Sequence, residues 1–156
     1  MTTVYVLIGG CGSGKSTWAK EFSAKLNTNL SELNTVDIIN MDSIRKEICG
    51  TEADQTQNNK VYSIAMSRFK NSVRTMVPNV ILDNTNITKK NRKDALDFCK
   101  EYGCRVIAVF FTTAFDEAVK RNQSRERVVP VEVIKRMFSQ LQPPTLDEGF
   151  EEIITI

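Results

Sequence analysis

A chain of 156 residues has room for one domain burying a sizeable core and leaves none for a second catalytic unit. Its 41% hydrophobic and 26% charged residues are those of an ordinary globular protein, and no apolar run approaches the ~18 residues of a membrane span. The net charge of +2 conceals a basic middle: residues 56–140 carry 16 basic and 8 acidic groups, against 5 and 7 before them and none and 4 after, which suits either a polyanionic ligand or several solvated helix faces.

The chain opens with Met1-Thr2-Thr3 and no basic leader, and passes straight into an apolar run, Val4 to Ile8, so it reads as cytoplasmic. Gly9-Gly10-Cys11-Gly12-Ser13-Gly14-Lys15-Ser16 follows and fits the phosphate-binding pattern G-x-x-x-x-G-K-S/T in full. Trp18, Ala19, Phe22 and Leu26 then recur at helical spacing over residues 17–26. Strand, glycine loop and helix in this order predict a nucleoside triphosphate site. The glycines let successive backbone N–H groups close on an anion, and the helix adds the positive end of its dipole. Gly10, Cys11, Gly12, Ser13, Gly14, Lys15, Ser16 and Thr17 would form the cradle, with Lys15 on the outer phosphates and the Ser16 hydroxyl on a magnesium ion.

Asn27-Thr28-Asn29 breaks the helix, and residues 35–39 read as a second strand ending at Asn40-Met41-Asp42. Ser43 is the expected cap of a short helix carrying Arg45 on the same side as Asp42. A polar loop over 52–59 precedes a helix over 60–77, with Val61, Ile64, Ala65, Phe69, Val73 and Met76 inward. Val80-Ile81-Leu82 forms a third strand closing on Asp83-Asn84-Thr85-Asn86, and Thr88 caps a helix over 89–102 that begins with Lys89, Lys90, Arg92 and Lys93 and leaves through Gly103. That basic run fits a solvated helix start or a nucleic-acid contact. Val106 to Phe111 is a strand buried on both faces, residues 114–121 a short helix, and residues 122–127 a charged mobile lid. Pro130 opens the last helix, Pro143-Pro144 ends it, and residues 150–156 supply a closing strand. The alternation predicts an α/β fold of the P-loop kinase type: a parallel sheet of about five strands, helices on both faces and a helical lid.

The sequence contains no histidine, so a general base must be a carboxylate, lysine, thiolate or water. The four cysteines, Cys11, Cys49, Cys99 and Cys104, lack metal-ligand spacing and read as reduced thiols. Asp42 and Asp83 end strands at the edge where open α/β sheets bind ligands. Asp42 suits a base that orients an acceptor hydroxyl, or a helix-start cap; Asp83 suits an acceptor contact or, with Ser16, the magnesium site. Arg121, Arg125 and Arg127 lie where a lid would fold over phosphates, with Arg125 the choice for the transition-state contact and Arg121 a helix-end residue; a solvated loop is the alternative. Arg45 would pair with a phosphate on the acceptor.

These residues together resemble the kinase domain of the 5′-hydroxyl polynucleotide kinase family. Gly9 to Trp18 with Lys20, Glu21 and Phe22 is similar to the bacteriophage P-loop and first helix, and Lys120-Arg121-Asn122 with Arg125 to its lid. Asp83 to Asn86 and Pro144 to Phe150 resemble the eukaryotic members. Asn40-Met41-Asp42 with Arg45 is similar to the family's Asn-Arg-Asp and downstream arginine, with Met41 in place of the arginine. The resemblance implies ATP and Mg2+ as cofactors and a 5′-hydroxyl end of DNA or RNA as partner. It makes Asp42 the general base, Lys15, Arg45 and Arg125 catalytic, and Asp42, Arg45, Asp83 and Asn86 the acceptor side. The Asp-x-Asp-Gly-Thr of the phosphatase that many members carry is absent, so a single kinase-like domain over residues 1–156 without 3′-phosphatase activity is expected. The same chemistry on a nucleoside, a small metabolite or a hydroxylated DNA base is the alternative, and a nucleotide switch a third. The switch-like Asn91-Arg92-Lys93-Asp94 falls inside an expected helix, where a guanine-reading loop does not belong.

Overall fold

A computed structural model describes residues 1–28 and 35–156; Asn29, expected in the break after the first helix, lies outside them. The chain runs β1 (Thr3–Ile8), α1 (Lys15–Asn27), β2 (Val36–Asn40), α2 (Met41–Cys49), α3 (Asn58–Arg74), β3 (Asn79–Asp83), α4 (Lys89–Glu101), β4 (Arg105–Phe110), α5 (Phe115–Gln123), α6 (Val131–Gln140), a 3₁₀ turn (Leu146–Glu148) and β5 (Glu152–Thr155). The five strands are all parallel, in the order β2-β3-β1-β4-β5. β1 is central, so the loop that leaves it emerges at mid-sheet beside the ends of β3 and β4.

Strand alternation divides the core. Val4, Val6 and Ile8 of β1 face α3 and α4 through Val61, Ala65, Phe69, Val73, Ala95, Leu96 and Cys99. Leu7 and Tyr5 face the other way onto Trp18, Ala19 and Phe22 of α1, where Trp18 and Phe22 stack at 4.7 Å and Tyr5 meets Phe22 edge-on at 4.7 Å. A third cluster joins Cys11 of the glycine loop to Val129 and Ile134, with Val119 and Met137 against it, so α5 and α6 are anchored on the phosphate loop itself.

Several expectations shift on contact with the structure. Ser43 does not cap α2: the cap is Asn40, whose Oδ1 accepts from the Ser43 N–H at 2.7 Å, so the helix begins three residues earlier and Asp42 stands in its first turn. Met76 is 74% exposed in a left-handed turn beyond α3, because the helix ends at Arg74. α5 continues through Gln123, and Asn122 is buried, its amide exchanging two bonds with the Val129 backbone (2.7 and 2.9 Å); the expected lid is therefore a loop pinned at both ends. Thr88 caps α4 as expected, in a reciprocal box with Asn91. Arg92 belongs neither to a solvated helix face nor to a nucleic-acid surface. It is fully buried, its fork paired with Glu148 at 2.8 Å through both Nε and Nη2.

Candidate active site

The phosphate loop is held by backbone geometry that only glycine accepts easily. Gly12 has φ +78°, and a Cβ there would stand 2.3 Å from the Ala118 carbonyl oxygen of α5. Gly14, at φ +96°, turns the chain into α1 and leaves the helix start without a side-chain cap, so its N–H groups face the cavity. That cavity, about 490 Å³, is floored by residues 11–17 and walled by the start of α2, by Asp83 to Thr85 and by the arginines of α5 and its following loop.

Lys15 curls back over the loop: its Nζ donates to the Gly10 carbonyl at 2.7 Å and to Ser13 Oγ at 3.3 Å. Burial pulls its ammonium down to about 8, and the nearby Asp83 carboxylate only partly opposes that. A lysine folded onto its own loop is poised to exchange these partners for phosphate oxygens. Ser16 Oγ donates to Asp83 Oδ2 at 2.7 Å, and Asn40 Nδ2 reaches the same oxygen at 2.6 Å. Thus α1, β2 and β3 meet at one carboxylate. A hydroxyl beside a single carboxylate is the sparse protein donor set that suits Mg2+, which takes its other ligands from phosphate and water. The described residues contain no cluster of three His, Cys, Asp or Glu that would bind a metal without that help.

Asp42 stands across the cavity and is ringed by guanidinium groups. Arg45 Nη1 pairs with Oδ1 in a very short contact, Arg127 Nη1 donates to the same oxygen at 3.1 Å, and Arg125 Nη2 lies 3.6 Å from Oδ2. Arg45 is fixed from behind by Asn58 of α3, whose Oδ1 accepts from Nε at 3.3 Å and Nη2 at 3.2 Å. Arg125 also reaches Cys11 Sγ at 2.6 Å, tying the lid loop to the phosphate loop. Arg121 lines the cavity beside Gly14 while its Nε pairs with Glu117 at 3.0 Å.

Among the residues expected at the site, residues 11–17 with Asp42, Arg45, Asp83, Arg121 and Arg125 share this one cavity. Gly10 lies just beneath it, accepting from Lys15. Asn86 does not join them: it is buried outside the lining, with its Nδ2 on the Leu7 carbonyl at 2.9 Å and its backbone left-handed. It fastens the loop after β3 to the base of the phosphate loop, where the Gly9 N–H also meets the Thr85 carbonyl at 3.0 Å. Arg92 extends that fastening, donating to the carbonyls of Asn86 (2.8 Å) and Gln142 (3.1 Å). The bonds of Asn40 to Ser43 and Asp83, the hold of Asn58 on Arg45 and the pairing of Arg127 with Asp42 are not legible in the sequence. Only Asn40 carried a signal, its preference for a helix cap.

The sequence profile of the AAA_33 family, described as an AAA domain, matches residues 4–144. The chain is 29% identical over 146 residues to an L-seryl-tRNA(Sec) kinase of Methanococcus maripaludis, covering 89% of this chain and 52% of that protein, so it spans about half of that relative's length. In structure it is similar to Chaetomium thermophilum Kti12 in complex with ADP-AlF3, with a TM-score of 0.70 at 15% identity over 98% of this chain and 88% of that one. It is also similar to a fungal RNA kinase, with a TM-score of 0.62 at 16% identity over 99% of this chain and 38% of that one. At these identities the structural likenesses speak for the fold.

Proposed function

The chain belongs to the AAA_33 family, and from that premise we propose that it is a kinase moving the γ-phosphoryl group of ATP to a hydroxyl carried by nucleic acid, the 5′-hydroxyl of DNA or RNA. One observation carries the reading: Asp42, bound by Arg45, shares the cavity wall with the phosphate loop. A module that only binds nucleotide has no use for a carboxylate held in that way.

The nucleotide phosphates lie along residues 11–17, with Lys15 on the outer oxygens and the N–H groups at the start of α1 beneath them. Ser16 and Asp83 would hold Mg2+, which screens the phosphate charge when bound. Asp42 orients the acceptor hydroxyl and takes its proton as the acceptor oxygen bonds to the γ-phosphorus; the bond from phosphorus to the bridging β,γ-oxygen breaks, and ADP leaves. Arg125 contributes charge from the lid side. Lys15 then faces the leaving oxygen, and the arginines of α5 and the loop after it wall the cavity on the lid side.

A second acceptor is favoured by one observation, the sequence relative that is named an L-seryl-tRNA(Sec) kinase: a hydroxyl on a group attached to RNA instead of the RNA end itself. Both place the hydroxyl beside a phosphodiester chain. Incubation with γ-labelled ATP, Mg2+ and a panel of a 5′-hydroxyl oligonucleotide, its 5′-phosphorylated twin, a seryl-tRNA and a nucleoside separates them. Label on the oligonucleotide but not on its twin supports the 5′-end reading. Label only on seryl-tRNA supports the second, and label on the nucleoside alone or on nothing refutes both.

A further inference from the structure

Three guanidinium groups converge on the Asp42 carboxylate, but they are not equivalent. Arg45 is held at its other nitrogens by Asn58, and Arg125 has a further contact with Cys11. Among the described residues Arg127 has one hydrogen-bond partner, Asp42, and it lines the cavity. Asp42 Oδ1 accepts from Arg45 and Arg127 together, so a hydroxyl that approaches this oxygen must displace one of them. Arg45 is anchored, which leaves Arg127 as the group that gives way.

A displaced Arg127 keeps its charge inside a cavity already lined by five cationic side chains, Lys15, Arg45, Arg121, Arg125 and Arg127, against the two carboxylates Asp42 and Asp83. A nucleoside triphosphate with its divalent cation leaves part of that surplus unmatched. We propose that Arg127 is a specificity residue for the acceptor: it caps Asp42 until an acceptor bearing a phosphate close to its reactive hydroxyl supplies a new partner, and this exchange frees Asp42 for the hydroxyl. An acceptor without such a phosphate leaves Arg127 on Asp42 Oδ1, with Arg125 3.6 Å from the other carboxylate oxygen. This rests on the kinase reading above and narrows its substrate class to phosphate-flanked hydroxyls.

The test compares a 3′-phosphorylated nucleoside with the plain nucleoside as acceptors for the full chain and for Arg127→Gln. The wild type should favour the phosphorylated acceptor in kcat/KM, and Arg127→Gln should cut that preference by about tenfold to a hundredfold, the worth of one charge-assisted hydrogen bond. Arg121→Gln, away from Asp42, should lower both acceptors together and keep the ratio. A preference that survives Arg127→Gln overturns the proposal while leaving the kinase reading intact. If no hydroxyl acceptor takes label, the kinase reading fails, and binding decides separately: fluorescence anisotropy with a labelled single-stranded oligonucleotide should show the logarithmic salt slope smaller by about 0.7 in Arg127→Gln. An unchanged slope overturns the role of Arg127.

Discussion

Nucleotide binding should take up a proton above neutral pH, and Lys15 sets the amount. Its ammonium is enclosed by the phosphate loop, and burial lowers its pKa from 10.5 to about 8 against the partial support of Asp83. About a tenth of the side chain is then neutral at pH 7 and about nine-tenths at pH 9. Phosphate oxygens arriving at Nζ favour the charged form and restore the ordinary value. Proton uptake on binding should therefore climb from ~0.1 at pH 7 to ~0.9 at pH 9, and affinity should weaken towards tenfold per pH unit above pH 8. Isothermal titration of Mg·ATP into the protein, in buffers of different protonation enthalpy at matched pH, reads the uptake directly. Lys15→Met should abolish the rise. Uptake that stays flat across this range, or a rise that persists in Lys15→Met, would exclude Lys15 as the group that takes up the proton. The same shift fixes the sign in the ligand-free protein: between pH about 8 and 10.5 the unfolded chain binds more protons at Lys15 than the folded one. The contribution of Lys15 to stability thus rises with pH across that window and is least favourable below it.

Glu148→Gln should destabilise the fold by roughly 3 kcal/mol in urea titrations, because it leaves the buried Arg92 without its counter-charge. Burial alone would raise the Glu148 carboxyl, but the Arg92 guanidinium and the Thr145 N–H outweigh it and hold its pKa below the ordinary range. Its stabilising contribution is present above the unfolded pKa and lost as pH falls through the folded one, so Glu148→Gln should flatten the acid limb of a stability-against-pH profile. Gly12→Ala combines left-handed strain with a clash against the Ala118 carbonyl and should cost more than ~2 kcal/mol in the same assay, whereas Gly50→Ala, with open space around its Cβ, should cost only the strain of its left-handed turn, about 1 kcal/mol. Asp83→Asn should weaken Mg·ATP binding by at least about tenfold, since it removes the carboxylate bonded to Ser16; affinity unchanged in a titration would contradict that placement.

The parts of the fold legible in the sequence are those specified by neighbours along the chain. The apolar runs of β1, β3 and β4, the glycine loop and the Thr88 cap depend on local spacing, and the parallel sheet follows from their alternation with helices. What depends on distant partners was not legible. Arg92 looks like one more cation in a basic helix start until Glu148, 56 residues later, is folded against it. Arg127 looks like a lid arginine over phosphates, yet its partner is Asp42, 85 residues earlier. Asn86 sits in a motif read as acceptor-facing, and only the left-handed turn of its backbone carries the amide back to Leu7. Asp83 admitted acceptor and metal roles equally in the sequence, and its bonds to Ser16 and Asn40 join residues 67 and 43 positions away in the chain.

In the proposed reaction Asp42 takes the proton of a nucleic-acid hydroxyl facing the phosphate loop. Single-turnover transfer from γ-labelled ATP to a 5′-hydroxyl oligonucleotide, with both ligands saturating, tests it in wild type and Asp42→Asn. The wild type should transfer label rapidly and the mutant about 10²–10⁴-fold more slowly, with nucleotide affinity retained. Transfer by Asp42→Asn at the wild-type rate would contradict it.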